Sequence, residues 1–528
     1  MDIALHHSRL NTMDPGLEHA PPQMGQIPPS PPSLPSPISH SSHTSHIYQR
    51  WADHYAQAIQ AGVLKVGEKL PSVRDIRQRH EVSHTTALQV LRELETRGLI
   101  EARPRVGYFV KCQQLDMLTA REPQKLVPFD ARTNAFQGIG ERIAAYLNKA
   151  RLSGPFKADL GSAMPAPELF DASFINRQAV ALLREQPDLL VHGPSAPFTH
   201  PEFQSAMSRY ALTFGLTLAP AQISATMGNS EAVNLALDAL THAGDVVAIE
   251  SPTFYGIVQA VEARGLRAVE IPSSPHTGMS LEALELAMRT YPELKAVIVV
   301  PHLQMPQGAT MPESHKQRIV AMCSARGVAL IEDDIYREFV EDAGVHRPCK
   351  VWDTDGTVVY CASLSKSFAP GLRLGWMNAG RWHDRVQMIK FSRSRNMPIW
   401  PQLIGARTVG TPFYMRHLAR IRNALREQRE QASQAVARYF PMGSRMSLPR
   451  GGLSIWVELP EAVDCARLYD DALALGIRVA PGDMFSNTGH YGHFLRLSCG
   501  MPFTPSIEAA YRVLGELMHA QLGLSPRS

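Results

Sequence analysis

At 528 residues the chain is too long for one hydrophobic core of ordinary size, so two or more domains are expected. With 44% hydrophobic and 19% charged residues it has a soluble globular composition, and no run approaches the roughly 18 apolar residues that cross a bilayer. The net charge of +4 is unevenly spread: residues 46–111 hold 11 Lys and Arg against 7 Asp and Glu, which leaves 42 of each elsewhere. The whole excess sits in one short segment, as expected for a module that faces a polyanion.

The opening MDIALHHSRLNTMDPGLEHA lacks the basic start and apolar block of a secretory signal. The cysteines at 112, 323, 349, 361, 465 and 499 show neither a CxxC pair nor metal-ligand spacing. They are expected to be reduced thiols of a cytoplasmic protein with no metal and no membrane association. Residues 1–45 are rich in Pro, Ser and His, with too few large apolar side chains for a core, and are expected to form a disordered tail.

From 46 to 111 the pattern becomes regular. HIYQRWADHYAQAIQAG places Ile47, Trp51, Tyr55, Ala58 and Ile59 on one helical face. LPSVRDIRQRHE predicts a short second helix opened by Pro71-Ser72. VSHTTALQVLRELETRGLI predicts a third, with Ser83 as N-cap and Ala87, Val90, Leu91 and Leu94 as its buried stripe. LIEARPRVGYFVK predicts two short strands around a turn. Three helices and a hairpin make a winged helix-turn-helix. The run GVLKVGEKLPSVRDIRQRHEVSHTTALQVLRELETRGLIEARPRVGYFV closely resembles the GntR family of bacterial regulators. That resemblance implies double-stranded DNA as partner, contacted by Ser72, Arg74, His84, Thr85 and Thr86, with Arg103, Arg105 and Gly107 at the wing. Hydroxyls and arginines at a helix start suit phosphate and base-edge contacts. Arg77 stands where the family usually has a small residue, and Val106 replaces a usual wing glycine.

Residues 112–155 are expected to be a linker, within which QGIGERIAAYLNKA has a helical pattern. Residues 156–528 alternate helical and strand signals. DVVAIESP, KAVIVVP, GVALIEDD, TVVYCASLS and LRLGWMNAG are short runs bounded by turns, which predicts an α/β domain on a mostly parallel sheet. GGLSIWVELP and HFLRLSCG predict a smaller C-terminal subdomain.

In such sheets ligands sit at the C-terminal strand ends. TMGNSEA brings a Gly-Asn-Ser turn onto a helix start, a ready anion site. IEDDIY ends a strand with two carboxylates and a phenol. In SLSKSFAPGLRLGW, Lys366 admits three readings from its neighbours: surface cation, phosphate contact, or attachment point of a cofactor. The order of these motifs, with ESPTFYG, resembles the fold-type I pyridoxal-phosphate enzymes of the aspartate aminotransferase superfamily.

This second resemblance implies pyridoxal 5'-phosphate as cofactor, held as an aldimine on Lys366. It further implies that Asp333 pairs with the ring nitrogen, Tyr336 donates to the ring oxygen and Phe254 stacks on the ring. Gly228, Asn229, Ser230, Ser363, Ser365 and Arg373 would hold the phosphate, and Arg496 the carboxylate of an amino-acid ligand. Two departures stand out: Met305 replaces the Asn of the usual Asn-Pro-x-Gly, and His192 stands about where a partner subunit's Tyr is usual. The two domains in this order resemble the MocR group of transcription regulators. That resemblance implies a head-to-tail homodimer that senses an amino compound or pyridoxal phosphate. The alternative is a catalytic aminotransferase carrying a DNA-binding arm.

Overall fold

The computed structural model describes residues 47–60, 64, 67–103, 106–110, 139–191, 198–342 and 344–525. The expected tail (1–45), the first part of the expected linker, Arg105 and His192 lie outside the described residues. The chain divides into two compact units, Met1–Cys112 and Gln113–Ser528.

In the first unit α1 (Ile47–Gln60), α2 (Val73–His80) and α3 (His84–Thr96) are followed by the antiparallel hairpin of β1 (Ile100–Arg103) and β2 (Gly107–Val110). Both short helices begin where the sequence places their caps. Ser72 accepts from the Asp75 N–H and completes a capping box; Ser83 accepts from the Thr86 N–H. Each cap supplies about 1 kcal/mol. The stripe of α3 is fully buried, as expected, against Ala52, Tyr55, Ala56 and Ile59 of α1 and Ile76 of α2. The α1 face differs at its start. Ile47 is 65% exposed, because the i, i+3, i+4, i+7 set that begins at Ala52 is the one turned inward.

The second unit opens with α4 (Ile139–Leu152), β3 (Ala158–Asp159), α5 (Ala172–Glu185) and α6 (Pro201–Leu212). Next come β4 (Ser224–Thr226), α7 (Asn229–Leu240), β5 (Val246–Ser251), α8 (Tyr255–Glu262), β6 (Arg267–Ser274), β7 (Gly278–Met279) and α9 (Leu281–Thr290). β8 (Leu294–Val299), α10 (Glu313–Ala325), β9 (Ala329–Asp333), β10 (Val358–Ser363), β11 (Gly375–Asn378), α11 (His383–Arg393), α12 (Ile399–Thr408) and α13 (Pro412–Tyr439) follow. The remainder is β12 (Arg445–Met446), β13 (Ser454–Glu458), α14 (Cys465–Ala474), β14 (Ile477–Arg478), β15 (Ala480–Pro481), β16 (Phe494–Ser498) and α15 (Pro505–Gln521).

The large sheet runs β4-β11-β10-β9-β8-β5-β6-β7. From β10 to β6 every pairing is parallel; β11 is antiparallel to both its neighbours, and β7 is antiparallel to β6. Strands β5, β9 and β10 are buried along their whole length, which explains why they read as unbroken apolar runs rather than alternating ones. The smaller sheet, β12-β13-β16-β15, is the expected C-terminal subdomain.

Helix α4 lies inside the stretch expected to be linker, yet it is part of the second unit. Ile139, Ile143 and Tyr146 are buried in that unit's core, and the Tyr146 hydroxyl donates to Asp483 at 2.9 Å. The hydrogen-bond partners of Tyr146, Asp483 and Tyr469, lie more than 300 residues away, beyond the reach of any local pattern.

Candidate functional site

Parallel strands aligned side by side bring their C-terminal ends to one edge, and β9 and β10 end there in Asp333 and Ser363. A cavity opens at that edge. It is lined by Asn229 and Ser230 at the start of α7, Phe254 before α8, Asp333, Tyr336, Ser363, Ser365, Lys366 and Arg373, together with Met164 and Met305.

The floor is an anion cradle. Helix α7 is capped by Gly228, which has no side chain to satisfy the first helical N–H groups. Gly228 sits at φ 82, and a Cβ built there would lie 2.9 Å from Nη2 of Arg373. Arg373 donates to the Met227 carbonyl at 3.3 Å and so arches over the same turn. The two serines divide their work. Ser363 Oγ donates to the Leu374 carbonyl and accepts from the Ser365 N–H, which shapes the turn. Ser365 Oγ is buried with no partner among the described residues.

Lys366 Nζ reaches back to the Ala163 carbonyl at 2.6 Å and Met164 Sδ at 2.8 Å. Burial pushes its pKa down to about 8, with the charges of Arg496 and Arg373 adding and Asp333 opposing. The paired carboxylates are not equivalent. Asp334 takes His302 Nδ1 at 2.6 Å, Arg337 Nε at 3.0 Å and the Tyr360 hydroxyl at 2.8 Å. Burial alone would raise it; His302 and Arg337 outweigh burial and hold it lowered. Asp333 has no ion-pair partner among the described residues, and burial pushes it up to about 7 despite bonds from the Ile335 N–H and the Asn229 amide. Tyr336 is buried, and burial raises its pKa as well. Arg496, on β16, is 2% exposed; it donates through Nη2 to the Gly161 carbonyl, while Nε and Nη1 are buried without partners among the described residues. The segment Gly161–Met164, which thus braces both Lys366 and Arg496, carries no motif that sequence reasoning singled out.

In the first unit a second concave face is lined by Ser72, Arg74, His84 and Gly107, with Lys69, Arg77 and Tyr108 beside them. The other named residues stand differently. Thr85 is exposed at the start of α3. Thr86 Oγ1 is 2.8 Å from Ser83 Oγ, tied into the helix cap, and the Ser72 hydroxyl donates to Asp75 at 2.7 Å. Arg103 is held by Glu101 at 2.8 Å and lies 4.4 Å from the Phe109 ring centre.

Residues 47–110 match the family described as bacterial regulatory proteins, gntR family, and residues 182–509 match aminotransferase class I and II. The HTH-type transcriptional regulator YdcR of Escherichia coli is 34% identical over 475 residues, covering 90% of this chain and 99% of its own. YjiR of the same organism, another HTH-type transcriptional regulator, is 32% identical over 485 residues, covering 89% and 98%. This chain belongs to the MocR-type regulators. Among solved structures, LysN of Thermus thermophilus, an α-aminoadipate aminotransferase complexed with N-(5'-phosphopyridoxyl)-L-leucine, superposes with TM-score 0.66. It is 25% identical and covers 75% of this chain and 100% of its own.

The MocR-type chain is therefore a transcription regulator that joins a GntR helix-turn-helix to an aminotransferase-like domain. The residues at its cavity fit pyridoxal phosphate. An uncapped helix start, a free buried hydroxyl on Ser365 and Arg373 offer donors for a phosphate. Asp333, raised for want of a cation, would be relieved by a protonated ring nitrogen. Tyr336 would donate to the ring oxygen, and Lys366, which lines the same cavity and whose pKa burial lowers, would attack the aldehyde as the neutral amine. When bound, this cofactor supplies an aldehyde that condenses with amines and a ring that withdraws electrons. Among the described residues no helix is long and apolar enough to cross a membrane.

Proposed function

We propose that this regulator binds double-stranded DNA through residues 46–111 and senses an amino compound, or pyridoxal phosphate itself, in residues 156–528. Lys366 is the covalent anchor, and the cytoplasm is the compartment. Arg496 receives the effector's carboxylate through the two nitrogens that lack protein partners. The protein works as a head-to-tail homodimer. An effector that displaces the Lys366 link shifts DNA affinity only if it binds two domain arrangements unequally.

The observation that carries this reading is the meeting of Lys366, Asp333, Tyr336, Phe254 and Arg373 around one cavity, in a chain whose first unit holds a winged helix. Catalytic transamination is the second reading, favoured by the presence of both Lys366 and Arg496. Against it stands Met305, 4% exposed and lining the cavity with a thioether that has no proton to donate.

The test is the affinity of the full chain for a labelled duplex from its own upstream region, with and without pyridoxal phosphate, against a panel of amino acids. At least one member shifts the apparent Kd by roughly fivefold or more, as allosteric couplings of about 1–3 kcal/mol do. The shift disappears in Lys366→Ala. Equal affinity under every condition, with brisk turnover of an amino donor and a keto acid, would favour the enzyme.

A further inference from the structure

The concave face of the first unit carries more free cationic charge than the family motif accounts for. Among the described residues no acidic side chain lines it. Asp75, the carboxylate of α2, is committed to Ser72, whose N–H and hydroxyl it accepts at 3.0 and 2.7 Å. Arg74 and Arg77 stand three residues apart, on adjoining turns of one helical face. Lys69 arrives from the other side of the cleft. Its segment runs along the hairpin as an edge strand: Leu70 N donates to the Tyr108 carbonyl at 2.8 Å, Val110 N donates to the Glu68 carbonyl at 2.9 Å, and Lys69 bridges Phe109.

Lys69 passes close over Gly107. That glycine sits at φ 130, and a Cβ built on it would lie 2.8 Å from Lys69 Cε. The lysine stem thus crosses the hairpin beside a bare glycine, and Lys69 lines the cleft. Lys69, Arg74 and Arg77 are exposed and make no ion pair with any described residue. Arg103, the arginine of the wing, is tied to Glu101 and stacked on Phe109.

We propose that Lys69 and Arg77, together with Arg74, are phosphate contacts of this unit, and that Arg103 is not. The proposal rests on the DNA-binding reading above. Three cations without ion-pair partners among the described residues, two on α2 and one on the segment paired with β2, line one cleft and suit the phosphates that flank a groove; each phosphate neutralised releases condensed counterions. Arg103 would first have to give up its carboxylate and its aromatic face.

The experiment uses the full chain with pyridoxal phosphate and a fluorescent mixed-sequence duplex of about 30 base pairs, with affinity followed from about 50 to 200 mM KCl. Lys69→Gln and Arg77→Gln each weaken binding and reduce the steepness of log affinity against log salt by about 0.9 per bound protomer. Lys69→Arg keeps the wild-type slope, and so does Arg103→Gln. A wild-type slope in both Lys69→Gln and Arg77→Gln would overturn the assignment, as would loss of slope in Arg103→Gln. If the wild-type chain binds no duplex at any salt, the DNA-binding reading falls and takes the assignment with it.

Discussion

Gly228 and Arg373 touch: the guanidinium occupies the space that a Cβ at position 228 would need, with Nη2 only 2.9 Å from that point. The cradle at the start of α7 is thus built around a missing side chain. Gly228→Ala adds that carbon and also strains a backbone at φ 82 and ψ 178, at roughly 1–3 kcal/mol for the conformation alone. Arg373 must swing away. We expect the dissociation constant for pyridoxal phosphate to rise by about tenfold or more, read by absorbance titration. The far-ultraviolet circular dichroism stays as in the wild type.

The pH dependence of cofactor attachment follows from Lys366. Only the neutral amine attacks an aldehyde, and burial brings its pKa from 10.5 to about 8. The initial rate of attachment to the apo protein should therefore rise with pH, bend near 8 and level off. A lysine with its ordinary value would give a rate still climbing toward 10.5. The stability of the apo protein has a matching sign. Between about 8 and 10.5 the unfolded chain holds a proton that the folded one has lost, so this group makes stability increase with pH across that window.

Met305→Asn tests the reading that the site senses rather than turns over. The substitution places an amide donor on the cavity wall where the thioether now accepts from Ser454 Oγ at 3.4 Å. Transamination of an amino donor by the purified protein should rise by roughly tenfold, less than the roughly 10²–10³ of a fully preorganised donor. The folded state should lose roughly 1–3 kcal/mol for placing a polar group in a packed wall. Unchanged turnover in a folded variant would mean that Met305 is not what limits it.

Ser72 is a helix cap before it is a DNA contact. Its hydroxyl donates to Asp75 and accepts the Asp75 N–H, so Ser72→Ala should cost about 1 kcal/mol of stability in the first unit. Thermal unfolding checks this. The salt dependence of DNA binding stays as in the wild type, because no cation is removed.

These expectations rest on features that differ in how far they could be seen in the residues alone. The caps Ser72 and Ser83, the stripe of α3 and the buried strands were all legible, because each is a local pattern whose cause lies within one turn or one strand. The grouping of Lys366, Asp333, Tyr336 and Arg373 was legible through the order of its motifs. What escaped was non-local. Helix α4 passed for linker because its apolar face meets residues from the far end of the chain. The unequal fates of Asp333 and Asp334 depend on His302 and Arg337, which the pair of letters does not reveal. Lys69 is not legible as a cleft residue, because its segment is placed by pairing with β2, some forty residues later.

The claim at the centre of this account is that Lys366 binds the cofactor covalently. Visible absorbance of the full chain mixed with pyridoxal phosphate tests it most directly, with Lys366→Ala measured beside the wild type. The wild type should show an imine band that survives gel filtration and is reduced into the protein by borohydride, and Lys366→Ala should show neither. An imine band of the same intensity and stability in Lys366→Ala would contradict it.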